Sequence, residues 1–187
     1  MSFSLSDQEK EFLIQLARDT ISTFLTTGSK KKQKYFSENL KSPAGVFVTL
    51  HEKGELRGCI GYVEGIKPLQ DAVADNAISA AFSDPRFMPV GVDEVEQLDI
   101  EISVLTPLEL VGNTEDIEIG RDGLFLKHGY NQGLLLPQVA TEQKWDREKF
   151  LQHTCMKAGL PTNAWKDEDI EIYKFSAIIF GEKDTSH

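Results

Sequence analysis

The segment Leu56-Arg57-Gly58-Cys59-Ile60-Gly61 sets two glycines inside an otherwise strand-like pattern. Glycine weakens a strand interior through backbone entropy and lost packing, so two of them call for a reason. The usual ones are a bulge, a sharp bend, or close approach by another backbone or a ligand. The flanks define the context. Pro43 precedes the run Gly45-Val46-Phe47-Val48-Thr49-Leu50-His51, Glu52-Lys53-Gly54 is a turn signal, and Glu55 to Val63 follows. This is a β-hairpin whose second strand is built to let something near.

Elements with helical spacing surround the hairpin. Ser6 and Glu9 form a capping-box pattern ahead of Phe12, Leu13, Leu16, Ala17, Ile21, Phe24 and Leu25, and Gly28 supplies the stop. Pro68 suits a first helical position before the stripe Leu69, Ala72, Val73, Ala77 and Ala80, which Ser83-Asp84-Pro85 ends. Asp99 to Thr106 alternates Ile100, Ile102 and Val104 with Glu101, Ser103 and Leu105, as a strand with one wet face does. A second hairpin is predicted from Leu124-Phe125-Leu126-Lys127-His128 to Gly133-Leu134-Leu135-Leu136, and helices from Pro137 and over Asp146 to Ala158. Asp169 to Phe180 reads as one long closing strand. Hairpins with segregated helices, and no regular alternation of the two, predict an α+β fold with a mainly antiparallel sheet flanked by helices. The length, 187 residues, fits one domain over 1–187.

Charge narrows the partners. A formal net charge of -10 repels a phosphate backbone, which argues against nucleic acid. The exception is the run Lys30, Lys31, Lys32 and Lys34, which reads as a solvated loop or as a contact for an anionic surface. No stretch approaches the roughly 20 apolar residues needed to cross a bilayer, so no membrane location is expected. Met1 to Glu11 lacks the basic-then-apolar order of a secretory leader, and Cys59 and Cys155 lie far apart, which together suit a reducing cytoplasm.

Chemistry concentrates at the glycine-rich strand. If Gly58 keeps regular pleating, Arg57 and Cys59 share a face, and a guanidinium beside a thiol favours the thiolate. The alternative is a small buried Cys59 with Arg57 pairing an acid elsewhere. His51 is the nearest base in sequence. A two-residue turn puts it opposite Leu56 with Val48 opposite Cys59, and only a one-residue slip brings it to the cysteine's face. His153 and Cys155 fall on different sides of one helix and make no metal pair, so Cys155 reads as core. Asn76 lies on an apolar stripe and needs a hydrogen-bond partner, in the core or in a cleft. Arg86 beside Asp84 and Arg121 beside Asp122 read as surface pairs or as the lining of an anion pocket. No phosphate-binding glycine loop, metalloprotease helix or serine elbow is present, and neither a metal nor a cofactor is expected.

The hexapeptide Leu56 to Gly61 resembles the signature of the AMMECR domain family. Similar segments are Gly45 to Leu50, Asp75-Asn76-Ala77, Asp84-Pro85-Arg86-Phe87, Ile119 to Leu124, Leu134 to Val139, Trp145-Asp146 and Lys157 to Pro161, in order over about residues 7–183. The resemblance implies a larger lobe on an antiparallel sheet, a smaller lobe beside it, and a cleft between them near the signature. It brings no settled activity. Prokaryotic members occur alongside Memo-type and radical-SAM proteins, which implies such a partner here. The expectation is a ligand- or partner-binding module, with Gly58, Gly61, Asn76, Arg86, Arg121 and Gln138 as candidate contacts. The alternative is an enzyme on a small anionic substrate, with Cys59 as nucleophile or redox thiol and Arg57 as its stabiliser.

Overall fold

The computed structural model describes residues 3–185. The chain forms two compact units, one of residues 1–105 with 178–187 and one of residues 106–177. The α+β class holds, with two four-stranded sheets in place of one.

The first unit opens with helix α1 (Asp7–Thr27). Its capping box is complete: Ser6 accepts from the Glu9 amide while the Glu9 carboxylate takes the Ser6 N–H, and Gly28 closes the other end in the left-handed region at φ 70°. Strands β1 (Val46–Glu52) and β2 (Glu55–Tyr62) form the expected hairpin. Helix α2 (Leu69–Phe82) follows, then β3 (Leu98–Leu105), and the sheet runs β2-β1-β3-β8, where β8 is Ala177–Gly181. One face of β1 and β3, carrying Val46, Val48, Leu50, Ile100, Ile102 and Val104, is fully buried in the cluster that includes Leu13, Ala17 and Ile21 of α1 and Leu69, Val73 and Ala77 of α2. Each such aliphatic side chain contributes about 1.5–3 kcal/mol through apolar burial, which anchors β1 between its neighbours. The alanines of α2 keep its surface low, so its backbone can run close to the sheet.

The second unit contains β4 (Glu109–Leu110), β5 (Gly123–His128), β6 (Asn131–Leu135), α3 (Pro137–Glu142), α4 (Arg147–Lys157) and β7 (Glu171–Phe175). Its sheet order is β4-β7-β5-β6. Phe150, Leu151 and Cys155 of α4 pack with Leu124 and Leu126 of β5 and Ile172 of β7 to make its core. Cys155 is fully buried there, as its apolar company in the sequence implied.

Two expectations change. The run Asp169 to Phe180 is not one strand: it breaks at Ser176, whose carbonyl accepts from the Thr106 amide and whose own amide donates to the Thr106 hydroxyl. Its two halves therefore serve different sheets, β7 in the second and β8 in the first. Both halves read as strand and nothing beside Ser176 names Thr106 as its partner, so the run carries no mark of the change of sheet. The polar face of β3 is also wet only in part, since Ser103 and Leu105 are buried beyond the half-exposed Asp99 and Glu101. A hydroxyl can be buried wherever it is hydrogen-bonded, so alternation of polarity alone overstates the wet face.

Candidate functional site

The signature strand is irregular at one point. Along β1 and β2, Leu50 opposes Gly58 and His51 opposes Leu56, so Arg57 is the extra residue of a β-bulge. The bulge shifts the register by one, and Thr49, not Val48, faces Cys59. Cys59 is thereby brought to the face that carries Thr49 and His51, the histidine lying two positions along β1 from Thr49. His51 still opposes Leu56, and it lines a separate hollow of about 290 Å3 that Asp99 and Lys183 also border. The regular pleating that would pair Arg57 with Cys59 does not exist, because the bulged residue lies out of alternation.

Both glycines are explained by close approach. A Cβ on Gly58 would lie 2.1 Å from the Ala80 carbonyl oxygen of α2, and one on Gly61 would lie 2.3 Å from the Val46 oxygen and 2.4 Å from the Phe47 ring. The hexapeptide is thus wedged between the α2 backbone on one face and an aromatic ring on the other.

The charged side chains around the strand are engaged. Arg57 makes a two-pronged pair with Glu94, Nε to Oε1 at 2.9 Å and Nη2 to Oε2 at 3.1 Å. Glu94 also accepts from the Gly91 amide, and the Arg57 guanidinium foremost holds its carboxyl below the usual range. The third guanidinium nitrogen, Nη1, is buried and has no hydrogen-bond partner among the described residues. Cys59 is half-buried and unoxidised, with Sγ 3.2 Å from the Thr49 hydroxyl.

Asp84 organises the outer edge of β2, which is the first strand of its sheet. Its carboxylate accepts from the Cys59 amide at 3.0 Å, from the Arg86 amide at 3.1 Å, and from Arg86 Nε and Nη2 at 3.0 and 2.7 Å. Arg86 Nη2 in turn donates to the Cys59 carbonyl at 3.4 Å. The pair therefore offers Cys59 an acceptor and a donor side by side, as a neighbouring strand would, and closes an edge that would otherwise be open to pairing. Asp84 is 4% exposed while the Arg86 side chain is about half exposed, so the pair is half interior. The Arg86 guanidinium, helped by the Cys59 amide and opposed by burial, holds its carboxyl far below the ordinary carboxylate range. Arg86 also feels Cys59 electrostatically. Sequence reasoning missed Asp84 as the organiser. The available signal was Asp-Pro-Arg directly after a helix, since Asp before Pro is extended and free to reach a strand edge.

The remaining candidates occupy defined places. Asn76 is fully buried on α2 and donates to the Val46 carbonyl at 3.2 Å, the core partner that its place on the apolar stripe allowed. Arg121 and Gln138 belong to the second unit. Arg121 grips Asp122 through Nε and Nη2, both at 2.9 Å, and also pairs with Glu118. Asp122 is 3% exposed and accepts from the Glu118 amide, so this pair too is half interior. Gln138 follows Pro137 in the first turn of α3. In the same unit His153 stacks on Trp145 at 3.8 Å, turned away from the buried Cys155. His128, Asp167 and Asp169 bring one ligand atom each to within 4.8 Å of one another, a grouping the sequence reading did not make. Exposed acids often gather so without a metal. Among the described residues no helix is long and apolar enough to cross a membrane.

Comparison with known proteins places this geometry in context. The family model AMMECR1 matches residues 14–180. The chain is 47% identical to protein MK0488 of Methanopyrus kandleri, over 98% of this chain and 93% of that one. It is 46% identical to protein PH0010 of Pyrococcus horikoshii, over 98% and 94% respectively. The crystal structure of PH0010, titled as an uncharacterized protein, superposes with a TM-score of 0.93, covering 96% of this chain and 94% of that one at 45% identity.

Proposed function

The chain belongs to the AMMECR1 family, and on that footing we propose that it is a cytoplasmic ligand- and partner-binding module whose signature strand is a recognition and framework element. The observation that carries this reading is that both arginines flanking Cys59 are already neutralised, Arg57 by Glu94 and Arg86 by Asp84. A thiol meant for nucleophilic catalysis needs an uncommitted cation or an oriented base to hold its thiolate. Here the charge goes into pairs whose carboxylates position backbone, Glu94 at the Gly91 amide and Asp84 at the Cys59 amide. The partner suggested by the family's company is a Memo-type or radical-SAM protein.

The experiment is affinity purification from cells producing the chain with a Memo-type and a radical-SAM protein, using the wild type and Cys59→Ser. Co-elution retained in the variant is the expected result. Elution of the chain alone under gentle conditions removes the partner, and co-elution lost with Cys59→Ser removes the framework role of the thiol.

A second reading rests on one specific observation. The bulge at Arg57 puts Cys59 on the face that carries His51, so an enzyme using Cys59 on a small anionic substrate has a base one cross-strand pair away. That reading requires turnover to vanish with either Cys59→Ser or His51→Ala.

A further inference from the structure

The first unit holds a cavity of about 570 Å3, none of whose lining residues belongs to the signature strand. It lies where the lysine loop meets the first two turns of α2. In a chain of net charge -10 its wall is basic. Lys30, Lys31, Lys32 and Lys67 face Asp71 and Asp75, a local excess of two positive charges.

The loop is held in place and is not merely solvated. Gln70 of α2 is 3% exposed; its Nε2 donates to the Lys34 carbonyl at 3.0 Å and its Oε1 accepts from the Phe36 amide at 2.9 Å. The Tyr35 hydroxyl donates to Asp71 at 2.6 Å. A buried amide spent on loop backbone at both ends fixes the Lys34 to Phe36 end of the loop against α2 before any ligand arrives, which lowers the ordering cost of binding.

Within the cavity one carboxylate links two ammonium groups, since Asp75 accepts from Lys30 through one oxygen and from Lys67 through the other. Burial acts to raise the Asp75 carboxyl, but these two hydrogen bonds outweigh it and hold the group below its ordinary value. Lys31 and Lys32 carry no ion pair among the described residues. From α2 the cavity is bordered by Gln70, Asp71, Ala74 and Asp75, one flank of the helix's first two turns.

We propose that this cavity binds a small molecule bearing a diphosphate or two phosphate groups, with Lys31 and Lys32 as primary contacts and Lys30 and Lys67 recruited from Asp75. The volume lies in the usual range for small-molecule sites, about 300–1,000 Å3. Compact ammonium groups on flexible stems, converging on one hollow, are phosphate-binding chemistry. The inference does not depend on the role of the signature strand.

The test is calorimetric titration of the intact chain with inorganic pyrophosphate at low ionic strength, for the wild type, K31Q/K32Q and D75N. Far-UV circular dichroism and melting curves check that all three fold alike. Saturable one-to-one binding is expected, weakening as salt is added. K31Q/K32Q binds about tenfold more weakly or worse, because two charge-assisted contacts are lost. D75N binds several-fold more tightly, because Lys30 and Lys67 no longer have an internal competitor. The absence of saturable binding, an unchanged affinity in K31Q/K32Q, or weaker binding in D75N overturns the proposal. So does binding to phosphatidylserine vesicles by a chain that ignores pyrophosphate, which assigns the lysines to a membrane surface.

Discussion

Substituting alanine at Gly58 tests why the signature strand contains glycine at all. The added Cβ would sit 2.1 Å from the Ala80 carbonyl oxygen and 3.0 Å from the carbonyl carbon. Both are backbone atoms of α2, so no side chain can swing aside, and the helix must lift from the sheet or β2 must move outward. Overpacking of a core costs typically 1–3 kcal/mol, and a rigid obstacle puts this case at the top of that range, about 3 kcal/mol. Lifting α2 also loosens Val73 and Ala77, which are fully buried against the sheet. With a urea m-value of about 2 kcal/mol/M, the midpoint of unfolding falls by about 1.5 M. Gly54→Ala is the matched control. Gly54 sits at φ 83° with nothing within 4 Å of its would-be Cβ, so only left-handed backbone strain applies, about 1 kcal/mol. Urea melts followed by circular dichroism at 222 nm measure both variants. A Gly58→Ala midpoint within 0.3 M of wild type, or a Gly54→Ala cost larger than that of Gly58→Ala, would refute the close-approach explanation.

Two further outcomes follow from the same geometry. Asp84→Asn removes the charged acceptor of the Cys59 amide and is expected to cost about 3 kcal/mol at neutral pH, the magnitude of one or two charge-assisted hydrogen bonds. Its sign with pH is fixed. The folded-state value of Asp84 is depressed, so its stabilisation is complete above the unfolded-state value near about 3.9 and is lost as pH falls toward the folded value. Wild-type stability therefore declines below pH 4 more steeply than that of the variant, as paired urea melts across that range will show. Cys155 is fully buried and burial foremost pushes its thiol up, so it should resist iodoacetamide in the native state and react only on unfolding. Peptide mass spectrometry before and after denaturant reads this directly.

Much of the fold was legible because its signals are local. The capping box at Ser6 and Glu9, the left-handed stop at Gly28 and the turn at Lys53-Gly54 are each set by neighbouring residues, and each stands where the chain places it. What was not legible depends on distant partners. The bulged residue Arg57 is paired with Glu94, far along the chain, and nothing within the hairpin names Glu94. Register in turn decides which residue faces Cys59, so the extra residue at Arg57 replaced Val48 with Thr49, the one-residue slip that the sequence left as the alternative. The break at Ser176 belongs to the same class, since Thr106 supplies both of its backbone partners. At the site, the glycines were readable as positions of close approach, while the identity of the approaching atom, the Ala80 carbonyl, was not.

The central claim is that Arg57 holds the strand through Glu94 and does not activate Cys59. The pH profile of Cys59 alkylation by mass spectrometry, in wild type and in Arg57→Ala with Cys155 as internal control, tests it most directly. The account predicts that the two Cys59 profiles superimpose while Cys155 stays unreactive in both. A wild-type profile that moves to higher pH when Arg57 is removed would contradict it and would return Cys59 and Arg57 to the centre of a catalytic site.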